Sequence, residues 1–229
     1  MLRAIIFDMD GVICDSEPLH MRAFQDVLRE LGITLTDQEY YDDYLAFDDR
    51  GCFKAVLEKN GRPADPSTIK DLVDRKARYF DDFMKTKLTI YPGAESFVRK
   101  SAEKYMIALA SGARRLEVEF VLRKAKIRGL FTAVVSSDDV EKGKPDPESF
   151  QKALESINQR RLHDSPAIVP QECLVIEDSK HGVAAAKTAG MRCLAVTTSF
   201  KADELQPADA ITESLVGLSL DKLEKLFIS

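Results

Sequence analysis

Residues 4–11 read Ala-Ile-Ile-Phe-Asp-Met-Asp-Gly, an apolar run that ends in two aspartates and a glycine. The apolar run 4–7 is too short for a helix and is typical of a buried strand. It leads into Asp8 and Asp10, and two neighbouring carboxylates outside bulk water repel each other unless a cation or hydrogen-bond donors offset them. An Asp-rich turn before a helix would explain the same residues without any function. The stretch alone leaves both interpretations open.

Composition limits the classes of protein that the chain can belong to. Its 229 residues are 45% hydrophobic and 31% charged, which is typical of a soluble globular protein with an ample core. The net charge of −5 and the dispersed basic residues disfavour nucleic acid and anionic membranes as main partners. The cysteines form no C-x-x-C pair, which favours reduced thiols in a cytoplasmic protein. No apolar run reaches membrane-spanning length, and no long apolar stripe is left over, so we expect a monomer.

The segment 18–87 shows helical periodicity and no strand pattern. The spacing of apolar residues predicts helices over about 17–31, 37–45, 51–59 and 67–84, with breaks at 47–50 and 60–63. His20 and Lys76 fall on the apolar faces of the first and last of these helices. A partly buried histidine and a lysine whose ammonium reaches solvent explain them structurally, whereas a cleft that meets an anion is the functional alternative.

Beyond residue 88, apolar strands alternate with helices. Strands are predicted near 106–110, 132–136, 173–176, 192–196 and 209–212. Helices are predicted near 93–104, 114–126, 147–157, 181–189 and 221–227, with a polar surface loop at 158–170. This alternation predicts an α/β fold with a parallel sheet and helices on both faces, into which the all-helical segment is inserted after the first strand.

Polar side chains follow the predicted strands at the points where the strands end. They are Asp8, Asp10, Ser111, Glu177 and Asp178, and the loop after the strand at 132–136 adds Lys142 and Lys144. Because parallel strands with right-handed crossovers end at one edge of the sheet, we expect these side chains to meet there. Carboxylates without His or Cys partners suit a hard cation, with Mg²⁺ the first choice. A hydroxyl and an ammonium beside that cation suit a phosphoryl group.

Four motifs in this order resemble those of the haloacid dehalogenase superfamily. They are Phe-Asp-Met-Asp-Gly-Val at 7–12, Ala-Ser-Gly at 110–112, Lys-Pro at 144–145 and Glu-Asp-Ser at 177–179. The resemblance covers nearly the whole chain. It implies a Rossmann-like catalytic core formed by residues 1–17 and 88–229. The insert at 18–87 resembles the helical cap of the β-phosphoglucomutase and phosphoglycolate phosphatase branch, which closes over the site, excludes water and selects the substrate.

The resemblance implies a role for each catalytic position. Asp8 would attack phosphorus to form an aspartyl phosphate, and Asp10 would act as the general acid and base. Ser111 would donate a hydrogen bond to the phosphoryl oxygens. Lys144 would stabilise the nucleophile and the charge that develops during transfer.

Metal and substrate contacts are also implied by the resemblance. Mg²⁺ would be held by Asp8, the Asp10 carbonyl and Asp178, and Glu177 would join directly or through a water. Substrate contacts are expected from Ser16, His20, Arg50, Lys76, Gly112 and Arg114.

The implied activity is the Mg²⁺-dependent hydrolysis of a small phosphorylated metabolite. A β-phosphoglucomutase-like enzyme is the alternative, in which Arg50 and Lys76 would bind a second phosphate. Asp48 and Asp49 make the loop before Arg50 acidic, which departs from the mutase pattern. A non-catalytic phosphoryl-acceptor module would share the acids, the hydroxyl and the lysine, but the insert and Asp10 count against it. Dehalogenation is disfavoured because members that attack carbon generally lack the second acid.

Overall fold

Two compact units make up the chain in the computed structural model, which describes residues 1–45, 47–161 and 166–228. The core unit comprises Met1–Asp15 and Thr89–Ser229, and the helical unit comprises Ser16–Leu88. These limits lie close to the domain boundaries proposed from the sequence. Part of the loop predicted at 158–170, namely 162–165, lies outside the described residues.

The helices of the described residues belong to both units. Those of the helical unit are α1 (Glu17–Glu30), α2 (Asp37–Glu39), α3 (Asp49–Lys59) and α4 (Pro66–Lys87). Those of the core unit are α5 (Ala94–Lys104), α6 (Arg115–Lys124), α7 (Glu148–Gln159), α8 (Lys180–Thr188) and α9 (Leu220–Glu224).

A six-stranded parallel sheet forms the centre of the core unit. The strands of the described residues are β1 (Ala4–Phe7), β2 (Cys14–Asp15), β3 (Thr89–Ile90), β4 (Met106–Ala110), β5 (Ala133–Val135), β6 (Cys173–Glu177), β7 (Arg192–Val196) and β8 (Ala210–Thr212). The sheet runs in the order β5-β4-β1-β6-β7-β8, and each neighbouring pair is parallel. All four residues of the central strand β1 are buried, as a strand covered on both faces requires. The α/β fold predicted from the alternation of strands and helices is therefore confirmed.

A short antiparallel ribbon accompanies this sheet. It consists of β2 and β3, in which Cys14 pairs with Ile90 and Asp15 pairs with Thr89. The sequence did not predict this ribbon, because two-residue strands are too short to show a period. The ribbon places the two ends of the inserted segment beside each other.

The helical unit packs its helices around an apolar cluster that includes Phe24, Leu28, Phe53 and Leu72. These residues recur at helical spacing, which is why the sequence predicted the helices that carry them. The helix predicted over 37–45 is α-helical only over α2 and continues as a π-helical turn.

The break predicted at 47–50 is wrong for its last two residues. The carboxylate of Asp48 accepts a hydrogen bond from the backbone N–H of Gly51 at 2.7 Å and thus caps α3. Aspartate at this position stabilises a helix that begins at the next residue. Asp49 and Arg50 therefore lie in the first turn of α3, and the acidic residues do not form an open loop.

All four cysteines are buried free thiols. Within the described ranges, no helix combines the length and the apolar character needed to cross a membrane.

Candidate active site

Three neighbouring strands deliver polar residues to the carboxyl edge of the sheet. Phe7, the last residue of β1, is in register with Leu109 of β4 and Ile176 of β6. Asp8 continues the ladder by donating its backbone N–H to the Ile176 carbonyl at 2.9 Å. Ser111 and Glu177 consequently emerge beside Asp8, one from each adjacent strand. The structure thus brings together residues that are far apart in the sequence.

A tight turn after Asp8 places Asp10 over this edge. The turn is closed by the hydrogen bond from the Gly11 N–H to the Cys14 carbonyl at 2.9 Å. Gly11 has a φ of +77°, which favours glycine. A Cβ at this position would lie 1.8 Å from Oδ2 of Asp178, so close approach also requires glycine. Any side chain at position 11 would displace the Asp178 carboxylate.

Lys144 supplies the positive charge at the centre of the site. Its ammonium donates to Oδ1 of Asp8 and lies 2.6 Å from Oε1 of Glu177. The ammonium also lies 4.9 Å from the centre of the Phe150 ring, on the helix that follows. The loop before this helix is held by the Glu148 carboxylate, which accepts backbone N–H groups at 2.9–3.1 Å. Lys144 is therefore fixed between two carboxylates.

Both carboxylate oxygens of Glu177 accept hydrogen bonds. Oε1 faces Lys144, and Oε2 accepts the Asp178 N–H at 2.8 Å. Oε2 also accepts the N–H and the hydroxyl of Ser179 at 2.7 and 2.9 Å. A Cβ on Gly182 would lie 1.7 Å from Oε1, so glycine is needed where α8 passes the carboxylate. Glu177 thereby fixes the start of α8 as well as Lys144.

Asp10 is the more accessible partner of a contact with the buried Ser111 hydroxyl. The Ser111 hydroxyl is 3.5 Å from Oδ2 of Asp10, which is a long contact, and its oxygen accepts the Ala113 N–H at 3.0 Å. Asp10 is half-buried, whereas Asp8 is buried. The Asp10 carboxylate can therefore exchange a proton with a ligand or a water above Asp8.

The buried carboxylates shift one another's pKa values. Burial raises the pKa of Asp8 to about 8, an effect that Lys144 opposes and the charges of Glu177 and Asp10 increase. Burial also raises the pKa of Asp178 well above its usual range, and Glu177 adds to this rise. Burial would raise the pKa of Glu177 too, but Lys144 and the hydrogen bonds from Ser179 outweigh it and lower that pKa. One ammonium does not balance this group, and the excess negative charge retains protons at neutral pH unless a cation is present.

Three of these carboxylates are arranged as a cation site. Oxygens of Asp8, Glu177 and Asp178 all lie within 4.8 Å of one another. An all-oxygen, carboxylate-rich set suits a hard divalent cation such as Mg²⁺ and gives no advantage to softer metals. The raised pKa values of Asp8 and Asp178 also favour a cation site, because a bound cation would replace the protons that these carboxylates retain.

We expect the metal-free protein to lose stability as the pH rises from about 5 to about 8. Folded Asp8 keeps its proton up to about pH 8, whereas an unfolded aspartate loses it near pH 3.9. The folded state thus binds more protons across this window, and its free energy of unfolding falls as pH increases. Urea unfolding in EDTA at several pH values measures this, and Mg²⁺ should restore stability most strongly at the upper end. Asp8→Asn should weaken the decline, and an equal decline in both proteins would contradict the assignment to Asp8.

The remaining residues predicted to bind substrate lie in both units. In the core unit, Gly112 follows Ser111, and the Arg114 side chain, at the residue before α6, donates a hydrogen bond to Glu117 of α6 at 2.8 Å. In the helical unit, Ser16 precedes α1, His20 lies within α1, Arg50 is exposed on α3 and Lys76 is buried on α4. Their contact with a substrate stays a prediction.

Two hydroxyl residues at the same edge were missed in the sequence. Ser199 donates a hydrogen bond to Oδ2 of Asp178, and Thr198 donates one to the Gly11 carbonyl at 2.6 Å. Both follow β7, the neighbour of β6 in the sheet. The strand-end rule that singled out Ser111 applies to β7 as well, so it could have found them.

Comparison with known proteins identifies the family of this chain. The haloacid dehalogenase-like hydrolase family matches residues 5–196. The chain belongs to this family. The match covers both units and all four motifs, so the family prediction made from the motifs is confirmed.

Similar proteins include enzymes that act on phosphorylated carbohydrates. This hydrolase is 32% identical to a phosphorylated carbohydrates phosphatase of Thermotoga maritima, over 83% of the chain and 82% of that protein. It is 35% identical over 96% of its length to Protein SUPPRESSOR OF QUENCHING 1, chloroplastic, of Arabidopsis thaliana, but spans only 20% of that protein.

Solved structures of CbbY from Rhodobacter sphaeroides share the fold along the whole chain. The complex of CbbY with phosphate superposes with a TM-score of 0.81 at 25% identity, covering 98% of this chain and 100% of that one. A CbbY variant bound to xylulose-(1,5)bisphosphate gives a TM-score of 0.79 at 25% identity, with 96% and 97% coverage.

Proposed function

We propose that this chain is a Mg²⁺-dependent phosphatase that hydrolyses a small phosphorylated carbohydrate through an aspartyl phosphate on Asp8. The observation that carries the proposal is the meeting of Asp8, Asp10, Ser111 and Lys144 at one sheet edge, beside the carboxylate group that suits a cation. The phosphatase relative from Thermotoga maritima supports the substrate class.

In the first half of the proposed reaction, a carboxylate oxygen of Asp8 attacks phosphorus. The new bond joins this oxygen to phosphorus while the bond between phosphorus and the ester oxygen breaks. Asp10 gives its proton to the departing alkoxide, which leaves as an alcohol. The Ser111 hydroxyl and the Lys144 ammonium donate hydrogen bonds to oxygens whose negative charge grows during transfer.

In the second half, water attacks the phosphorus of the aspartyl phosphate. Asp10, now a carboxylate, takes the proton from this water. The bond between phosphorus and the Asp8 oxygen breaks, which releases inorganic phosphate and restores the carboxylate. Asp8, Asp178 and the Asp10 carbonyl would hold Mg²⁺, with Glu177 joining directly or through a water, and the cation would supply positive charge that offsets the phosphoryl oxygens and the acids.

We further propose that the substrate contacts predicted from the sequence take part in binding, namely Ser16, His20, Arg50, Lys76, Gly112 and Arg114. Within the helical unit, the Lys76 ammonium lies 2.7 Å from Oδ1 of Asp49 and 2.6 Å from Nδ1 of His20. Lys76 is only 2% exposed, and its ammonium does not reach out to solvent as a marginal lysine would.

Asp49 determines what the Lys76 ammonium can bind. Two of the three N–H donors of Lys76 face Asp49 and His20, and the Asp49 charge balances the ammonium. An ammonium whose charge is already balanced by a carboxylate has little attraction left for a second phosphate. This pairing supports sugar monophosphates as the substrate class.

A panel of sugar monophosphates and matching sugar bisphosphates tests the proposal. We expect Mg²⁺-dependent release of inorganic phosphate, with kcat/KM for the monophosphate at least about tenfold above that for the bisphosphate, a difference of about 1.4 kcal/mol. Phosphate release and the appearance of the isomerised sugar phosphate are measured in the same samples. Arg50→Ala, assayed alongside, reports whether this exposed arginine contributes to KM.

Two results would overturn the phosphatase. If a catalytic amount of sugar bisphosphate stimulates isomerisation of a hexose phosphate well above hydrolysis, the enzyme is a mutase. If Asp8 becomes phosphorylated but no ester in the panel is turned over, the chain is a phosphoryl-acceptor module.

A further inference from the structure

Three consecutive hydroxyl residues follow β7 at the catalytic edge. Thr197 donates its backbone N–H to the Thr212 carbonyl at 3.0 Å, which ties the loop to β8. Thr198 donates its hydroxyl to the carbonyl of Gly11 at 2.6 Å, and Ser199 donates its hydroxyl to Oδ2 of Asp178. The loop therefore holds both the Gly11 turn and a carboxylate of the cation site.

These contacts make the two oxygens of Asp178 unequal. Oδ2 receives the Ser199 hydroxyl and is packed against the Gly11 backbone, where an added Cβ would lie only 1.8 Å away. Within the part of the chain that the structure describes, Oδ1 accepts no hydrogen bond, and Asp178 as a residue belongs to the carboxylate group shared with Asp8 and Glu177. Oδ1 is thus the oxygen left for a cation.

We propose that Ser199 is a positioning residue that restricts Asp178 to one metal-binding oxygen and thereby favours Mg²⁺ over Ca²⁺. The inference rests on the cation of the proposed function and deepens it. Mg²⁺ requires a small, nearly octahedral set of oxygens, whereas Ca²⁺ is larger and readily accepts both oxygens of one carboxylate. The Ser199 hydroxyl takes one lone pair of Oδ2 and thereby disfavours the second arrangement. Residues that orient a metal ligand in this way affect affinity even though they do not touch the metal.

Calorimetric titration of the substrate-free protein with MgCl₂ and with CaCl₂ tests the proposal. We expect Ser199→Ala to raise the Kd for Mg²⁺ by about tenfold. The Kd for Ca²⁺ should change by less than about twofold, because the freed Oδ2 can then join as a second ligand oxygen. The ratio of the Kd for Ca²⁺ to the Kd for Mg²⁺ therefore falls. Ser199→Thr keeps the hydroxyl and should restore most of this ratio.

A matched control separates this role from a general loosening of the fold. Ser214→Ala removes a hydroxyl whose oxygen accepts the Val216 N–H at 3.0 Å on another loop of the core unit, and both Kd values should stay unchanged. Thermal unfolding in EDTA shows how far each substitution destabilises the metal-free protein. Suppose that Ser199→Ala raises the Kd values for Mg²⁺ and Ca²⁺ by the same factor and also lowers the midpoint of thermal unfolding in EDTA. Ser199 then has only a structural role, and the proposal is wrong.

Two further outcomes overturn the proposal. One is a Mg²⁺ Kd for Ser199→Ala within twofold of the wild type, and the other is a wild-type protein that binds no Mg²⁺. The titrations contain no substrate, so they are independent of turnover. Ser199→Ala could lower the selectivity for Mg²⁺ while the wild-type protein hydrolyses no phosphate ester. This result would support the role of Ser199 and contradict only the proposed phosphatase activity.

Discussion

Asp8→Asn is expected to lower the turnover of a phosphate ester by about 10⁴-fold or more, as loss of a nucleophile does in other enzymes. The amide is nearly isosteric with the carboxylate but is a poor nucleophile, so the aspartyl phosphate cannot form. Turnover of the best substrate in the panel measures the effect. Rapid quenching with a labelled ester should show phosphoryl transfer to the wild-type protein and none to the variant.

The fold should survive this substitution. The amide oxygen that Asp8→Asn introduces can still accept a hydrogen bond from Lys144, and the raised pKa of Asp8 means that its charge opposes folding in the metal-free protein. Asp203→Asn is a matched control, because Asp203 is an exposed aspartate of the same unit, and its turnover should equal that of the wild type. Retained turnover in Asp8→Asn would show that another group attacks phosphorus.

Lys144→Ala is expected to cost about 3–5 kcal/mol in the free energy of unfolding and about 10²–10³-fold in turnover. The substitution leaves the buried Glu177 carboxylate without the ammonium that it contacts, and Asp8, which keeps its proton up to about pH 8 without a metal, loses a hydrogen-bond donor. Burying charges without a partner is costly, and Mg²⁺ should restore part of the lost stability because it offsets the same carboxylates. Urea unfolding with and without Mg²⁺ measures the first effect, and steady-state kinetics measures the second.

Lys142 offers a control in the same loop. Its side chain is 74% exposed and lies 4.0 Å from Asp146, a surface pair of little energetic value. Lys142→Ala should change the free energy of unfolding by no more than about 0.5 kcal/mol and leave turnover unchanged. Similar losses in both variants would mean that the loop, and not the ammonium of Lys144, matters.

The sequence predicted the sheet because strands covered on both faces are continuous apolar runs. The bounds of β1, β4 and β7 agree with the predicted ones for this reason, and the strand-end rule then selected the residues of the site. The sequence could not predict which groups pair. Lys76 pairs with Asp49, and Ser199 donates to only one oxygen of Asp178. Both pairings depend on side-chain directions that packing determines and that the periodicity of the sequence does not show.

Local chemistry was harder to predict than topology. The break assigned at 47–50 treated Asp48 as part of an open loop, although aspartate is also one of the best N-cap residues. Any aspartate before a helix can be interpreted as a loop residue or as an N-cap. For Asp48, the hydrogen bond from the Gly51 N–H shows that it is an N-cap. The ribbon of β2 and β3 left no signal at all, because its pairing depends on residues that are distant in sequence.

That ribbon has a consequence for how such a protein can evolve. The inserted segment leaves the core after Asp15 and returns at Thr89, and these two residues are paired strand partners. Paired antiparallel residues have their Cα atoms only about 5 Å apart. The ribbon therefore holds the two ends of the inserted segment together, whatever the length of that segment. The inserted segment can therefore be lengthened, shortened or exchanged by recombination at this junction, because the entropic cost of closing a loop grows only slowly with its length. The inserted unit can thus diversify while the residues at the carboxyl edge of the sheet stay fixed.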